Sequence, residues 1–429
     1  MRHVGASLSL GLVLLFLAPA PSAAAADSVT KWSQVADVYG DGFANWYTQV
    51  IMHQAMHDAL NAILPTFERW NAPAKDEPSA SGASPGAAIA GAAAQVLRML
   101  HPSRQEDTER ILHQILDGYS DDTALRAGVK LGEAIGRVAV ERRDGDGSLD
   151  IRPFVGSAEP GRWARTPQKY ATSNTSSTLP FLFGDNQVLL APPPPALDSD
   201  GYRRGLAEVR RLGAKDSRER TDEQTRAAIF WAYQSSERGY LHLAIRLLSE
   251  PPTARGAHDT ARILSQLATA LADSAILSWR EKEHFSYWRP VTAIRAGSAG
   301  VEADPNWMPV LETPPFPEYP SGHAAHCYTA STLLDTIFGA EVKEITYVSL
   351  QGSNATDLES LTFGMGQHNQ MGESAGRFER QFPSLDAAAE ECAESRIWAG
   401  AHFRAGNDEA RRLGVRIAER AAVAVPPVK

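Results

Sequence analysis

The chain has 429 residues, 43% of them hydrophobic and 22% charged, with 42 Lys and Arg against 51 Asp and Glu and a net charge of -9. That balance suits a globular protein with one large domain or two ordinary ones, and its acidity argues against a general nucleic-acid-binding role. Two cysteines, Cys327 and Cys392, are too few for a disulfide scaffold, and no Cys-x2-Cys, His-Glu-x2-His or calcium-loop pattern occurs.

In chain order, Arg2 precedes an apolar run from Leu8 to Ala18 and then small residues up to Ala26. This pattern predicts a signal peptide over 1–26, cleaved before Asp27, and so an exported protein, periplasmic or extracellular. The alternative is an uncleaved anchor, for which the apolar run is short. No other segment is apolar for long enough to cross a bilayer, so no membrane span is expected in the mature chain.

Apolar residues recur at helical spacing from Phe43 to Leu64, and Pro65 ends the run. His53 and His57 lie four apart there, with Asp58 beside them. They could ligate a metal, but no third ligand is indicated, and helix packing is the favoured reading. A surface loop follows at 75–86, then helices at Ala87–Leu100, Gln105–Leu116 and Asp122–Asp144. Residues 145–199 show little periodicity and carry the run Pro192 to Pro195. The aromatic residues Trp163, Tyr170, Phe181 and Phe183 mark them as a segment covering the body, not a free linker.

The helical pattern resumes at 202–213, 221–235, 238–249 and 258–283. Residues 352–372 read as loop or short helix, and helices are expected at Asp386–Arg396 and from about Phe403 to Val423. No convincing run of alternating strands is found. The expected fold is all-α, a helical bundle with long loops, divided into a helical part 27–199 with its covering loop and a helical bundle 200–429.

Three stretches carry the chemistry. Thr313 to His326 is a proline-rich approach, then Pro320-Ser321-Gly322-His323, then a mostly apolar run from Ala324 to Phe338. That is a helix N-terminus suited to an anion, with backbone N–H groups and the dipole favouring negative charge. Gly322 admits close approach, Ser321 adds a donor or a cap, and His323 can move a proton. Lys282 and Arg289 are seven apart, nearly two helical turns, which predicts both on one helix face before Pro290. Arg396 and His402 are six apart with Gly400 between them, which predicts a break that lets both reach one point.

Lys-x6-Arg-Pro, Pro-Ser-Gly-His and Ser395-Arg396-x5-His402, in that order and spacing, resemble the superfamily of vanadium-dependent haloperoxidases and type 2 phosphatidic acid phosphatases. The resemblance implies an all-α fold with an anion site in a C-terminal four-helix bundle. It implies that Lys282, Arg289, Ser321, Gly322 and Arg396 hydrogen-bond the oxygens of vanadate or phosphate. The histidine at the position of His402 bonds vanadium in the haloperoxidases and becomes phosphorylated in the phosphatases, and His323 is acid/base in either. Trp279 and Phe316 stand where chloroperoxidases place aromatic residues near the halide, though ordinary core packing accounts for them equally.

One position departs from the family pattern. An aspartate often lies four residues after the last histidine, where this chain has Gly406; a nucleophilic histidine needs a partner to fix its tautomer, so the departure counts against the phosphatase, though the nearest acid, Asp408, could take the role if the helix starts late. The reading favoured is a haloperoxidase-like oxidoreductase using hydrogen peroxide and halide, with vanadate as a Lewis acid. The alternatives are a soluble acid phosphatase acting on phosphomonoesters, with phosphate as substrate group and no cofactor, and an anion-binding protein without turnover. Cys327 is one turn after His323 and Cys392 one turn before Arg396. If both side chains meet at one anion their helices converge, which predicts a Cys327–Cys392 bridge; two buried free thiols are the alternative.

Overall fold

The structure is a computed structural model that describes residues 21–40, 43–117, 122–165, 172–184, 191–233, 236–351 and 376–428. The predicted leader lies outside the described residues as far as residue 20, as do Tyr170 and the predicted loop at 352–372. Thirteen α-helices occur among the described residues: α1 (Pro21–Asp37), α2 (Phe43–Ile63), α3 (Pro85–Leu100), α4 (Gln105–Leu116), α5 (Asp122–Glu141), α6 (Asp200–Leu212), α7 (Asp222–Tyr233), α8 (Ser236–Ser249), α9 (Ala257–Phe285), α10 (Pro290–Ala296), α11 (Gly322–Phe338), α12 (Leu385–Trp398) and α13 (Arg404–Ala422). The all-α expectation holds, and helix starts follow local chemistry. Ser84 and Ser384 cap α3 and α12 through side-chain bonds to Ala87 N and Ala387 N. Proline stands at the first position of α3 and α10.

Two small antiparallel sheets were not foreseen. One pairs β1 (Arg152–Pro153) with β2 (Thr172–Ser173), and the other pairs β3 (Ile345–Gln351) with β4 (Gly376–Phe382). In β3 the inward residues Ile345 and Tyr347 are buried. Tyr347 packs against Trp231 and Tyr240 with ring centroids 4.8 and 5.3 Å away. The short alternation in Ile-Thr-Tyr-Val was masked by its helical neighbourhood.

α2 runs through the middle of the molecule. Every residue from Asn45 to Asn61 is buried, as expected of a helix covered on all sides. It packs on α1, α3 and α5, and on α9. α9 in turn meets α11 and α13, which with α12 form the bundle that holds the site. One continuous apolar core runs from Ala25 and Trp32 in α1 to Ala421 in α13. α1 passes without a break through the position where cleavage was expected.

The histidines of α2 are packing groups. His53 Nε2 lies 3.0 Å from Ser33 Oγ, and His57 Nδ1 lies 3.2 Å from Asp58 Oδ1. The Asp58 carboxylate also accepts from the backbone N–H groups of Trp70 and Asn71. Among the described residues no group of three His, Cys, Asp or Glu could hold a metal ion. Burial pushes the His53 imidazole down from 6.5 to about 3. The unfolded chain therefore takes this proton first, and the contribution is lost as pH falls from 6.5 toward 3. The loss is at most about 1.4 kcal/mol per pH unit. His53→Gln is expected to flatten the fall in denaturation midpoint on acidification; an unchanged slope would assign the acid sensitivity elsewhere.

Candidate active site

The described parts of 145–199 are anchored along α9 and the loops after it. Trp163 and Phe183 are buried. The Asp273 carboxylate accepts from Phe181 N and Leu182 N at 2.6 and 2.7 Å. Glu281 Oε1 accepts from Ala191 N at 3.0 Å. The hydroxyls of Tyr319 and Tyr287 donate to the carbonyls of Pro192 and Pro195. The segment thus shields one side of the proline-rich approach to Ser321.

Lys282 and Arg289 do not share a helix face. α9 stops at Phe285, Ser286 is its left-handed cap (φ 44°), and Arg289 is extended ahead of α10. Pro290 disfavours a helical residue before it, so the helix could not continue to Arg289. The two cations still converge on the Phe316 ring. Lys282 Nζ lies 5.6 Å and Arg289 Cζ 4.9 Å from its centroid.

Both cations are fully buried. Lys282 Nζ donates to three backbone carbonyls, of Pro317 (3.2 Å), Glu318 (2.8 Å) and Pro320. Arg289 Nε donates to Phe316 O at 2.9 Å, and its Nη1 to Ala401 O at 2.8 Å. These bonds hold the proline-rich approach and the turn before His402 against each other. Burial, then the neighbouring Arg289, pushes the Lys282 ammonium well below its ordinary range. Burial brings Arg289 down to about 9 and Arg396 to about 10.

Ser321 occupies the N-cap position of α11 but makes no side-chain capping bond. Its Oγ is buried with no partner among the described residues, and so is Arg289 Nη2. Trp279 covers Gly322: a Cβ there would sit 3.0 Å from the indole Cζ3. Trp279 and Phe316 form a wall beside the cradle, with centroids 5.2 Å apart.

α12 ends at Trp398, and Gly400 takes φ 77°. The chain then folds back so that Ala401 N and His402 N both donate to Arg396 O. The predicted break is therefore present, and it places His402 beside Arg396. His402 Nε2 lies 3.0 Å from Arg289 Nη1, and its Nδ1 2.8 Å from Glu318 Oε1. Burial first, then Arg289, Lys282 and Arg396, keeps this imidazole neutral. His323, on the first turn of α11, is pushed down to about 3 by burial and then by Arg396, with Glu237 opposing.

Glu318 is the residue that sequence reasoning missed. Asp408, the expected substitute for the family aspartate, is exposed on α13. Glu318 is fully buried and also accepts from Phe403 N at 3.1 Å. The signal for it was an acid set among prolines and aromatics, together with glycine where an acid was expected. The cysteines are bridged, with Cα atoms 6.6 Å apart. The bridge joins α11, which carries His323, to α12, which carries Arg396.

The chemistry fits an oxyanion. Buried cations, two buried donors without partners, and a helix N-terminus surround a neutral imidazole. The fold and site together are those of an all-α protein with an oxyanion cradle in a helical bundle.

Comparison with known proteins finds counterparts of this fold and of its C-terminal bundle. Residues 262–426 match the family model described as the VCPO second helical-bundle domain. A vanadium chloroperoxidase of Curvularia inaequalis is 27% identical over 227 residues, 44% of this chain and 37% of that protein. A match thus spans little more than a third of that curated relative's length. Two solved structures have the same fold. A bacterial vanadium-dependent iodoperoxidase has TM-score 0.73 at 22% identity, covering 95% of this chain and 96% of that one. A holo-type bacterial vanadium-dependent chloroperoxidase has TM-score 0.64 at 18% identity, covering 89% and 91%. Over residues 262–426 the chain is thus similar to the second helical-bundle domain of vanadium chloroperoxidase, and its fold is that of the two solved peroxidases.

Proposed function

We propose that this protein is an exported vanadium-dependent haloperoxidase that uses hydrogen peroxide to oxidise halide. The observation that carries the reading is His402, whose Nε2 is bonded to Arg289 Nη1 at 3.0 Å in a setting that also holds two buried donors without partners, Ser321 Oγ and Arg289 Nη2. Lys282, Arg289, Ser321, Gly322 and Arg396 would hold the vanadate oxygens, and His402 would give its Nε2 lone pair to vanadium. When bound, vanadate supplies Lewis acidity toward peroxide without changing redox state. His323 would hold or release a proton at the mouth of the cradle, and Trp279 and Phe316 would strip water from the halide.

The soluble phosphatase is the second reading, and Glu318 bears on it. The missing aspartate at Gly406 argued against a nucleophilic histidine, yet Glu318 now supplies a carboxylate at Nδ1. The preference for the peroxidase therefore rests on the named relatives and on the aromatic wall. The test is to assay purified protein with and without vanadate. Halide oxidation is expected only with vanadate and is inhibited by phosphate. Phosphomonoester hydrolysis by the vanadate-free protein, with bromide and chloride untouched after loading, would reverse the assignment.

A further inference from the structure

We infer that the carboxylate that orients the pocket histidine has moved in this chain from the last helix to the loop before α11, so that Glu318 is the positioning residue for His402 and Gly406 is the space it occupies.

The contacts give the role. His402 has two ring nitrogens with distinct partners, Glu318 Oε1 at Nδ1 and Arg289 Nη1 at Nε2. Arg289 can only donate, so Nε2 must accept and the proton of a neutral ring must sit on Nδ1, donated to Glu318. The guanidinium and the carboxylate thus favour the same tautomer, and the carboxylate holds the ring from behind with its Nε2 lone pair turned toward Arg289. Phe403 N fixes the same oxygen from the next residue in the chain. Lys282 Nζ donates to the Glu318 carbonyl, so the backbone beneath the carboxylate is pinned as well.

Gly406 shows that the arrangement is an exchange of positions. It lies in the first turn of α13, one turn beyond His402. A Cβ built on it would sit 2.3 Å from Glu318 Oε1 and 3.1 Å from its Cδ. Any side chain at 406, an aspartate included, collides with the carboxylate that now serves His402. Backbone bonding seals the junction, since Ser321 N donates to Gly406 O at 3.0 Å. Glycine at 406 and glutamate at 318 are thus one feature, and neither works with an acid at the other place.

The test uses the full chain in four forms: wild type, Glu318→Gln, Glu318→Ala, and Glu318→Ala with Gly406→Asp. The first readout is the 15N spectrum of histidine-labelled, vanadate-free protein, which reports the His402 tautomer and does not depend on the haloperoxidase reading. The second is vanadate affinity by calorimetry, which rests on that reading. Wild type is expected to show His402 protonated on Nδ1. Glu318→Gln, nearly isosteric, can still accept from Nδ1 through its amide oxygen and is expected to keep the tautomer, while the lost charge makes it bind vanadate about 10- to 100-fold more weakly, the usual cost of changing a partner behind a ligand. Glu318→Ala removes the acceptor and is expected to lose the tautomer preference and to bind at least as weakly, and adding Gly406→Asp is expected to recover both the tautomer and most of the affinity. If Glu318→Ala keeps the wild-type tautomer and affinity, or if the double variant recovers neither property while folded by circular dichroism, Glu318 is not the positioning group. If the tautomer behaves as expected but no form binds vanadate, Glu318 stands and the functional reading fails.

Discussion

His402→Ala is expected to reduce vanadate-dependent halide oxidation to background while the protein stays folded. The loss follows from geometry. The Nε2 of His402 is a nitrogen lone pair set among Arg289, Lys282 and Arg396, and it accepts from Arg289, which can only donate. The fold survives because the group left behind can adapt. Glu318 is fully buried, and burial already pushes its carboxyl up to about 7, against the pull of Lys282 and Arg289. Deprived of the imidazole, it can take a proton instead of remaining an unpaired charge. Halide oxidation and circular dichroism melting are to be read on the same preparation. Retention of more than about a tenth of wild-type turnover would be less than the usual cost of losing even a supporting partner, and would assign the vanadium contact elsewhere.

Lys282→Ala and Arg396→Ala are expected to differ, although both remove a cation from one pocket. Lys282 Nζ bonds the carbonyls of Pro317, Glu318 and Pro320. Truncation leaves these buried acceptors without their donor, at about 1–3 kcal/mol each where water cannot enter. A stability loss of about 3 kcal/mol or more is expected, together with weaker vanadate binding. Arg396 has a lighter structural load, a 3.3 Å bond from Nη1 to Trp231 O. Its truncation is expected to weaken vanadate binding by at least about 1.5 kcal/mol, the scale of a charged hydrogen bond, with a smaller change in stability. Denaturant midpoints and vanadate titrations of the two variants separate the effects. Equal stability losses would contradict the assignment of Lys282 as the tie holding the loop.

Much of this was legible from local chemistry. Proline and glycine marked the ends of α2 and α12, and the spacing of Arg396 and His402 around Gly400 was enough to place those two side by side. The cysteine bridge followed from requiring two helices to meet. What was not legible depended on contacts between distant parts of the chain. Spacing put Lys282 and Arg289 on one helix, but Pro290 acts on the backbone before it and ends α9 early. Asp408 was sought as the orienting acid because it is near in sequence, whereas the acid that reaches Nδ1 stands 84 residues before His402. β3 escaped notice because its partner strand lies across residues 352–375 of the chain, and a two-stranded pairing leaves little periodic trace.

The Cys327–Cys392 bridge matters for durability as well as for architecture. Thiols are prime targets of strong oxidants, and this chain's two cysteines are already joined and fully buried. If the proposed reaction releases an oxidant at the mouth of the cradle, that oxidant would find no thiol at the joint between α11 and α12. Of the thioethers, Met52 and Met56 lie sealed in the core, while Met308 is 53% exposed. Chemical wear would therefore collect on surface methionines, away from the helices that aim His323 and Arg396, and the catalyst would age from its outside inward.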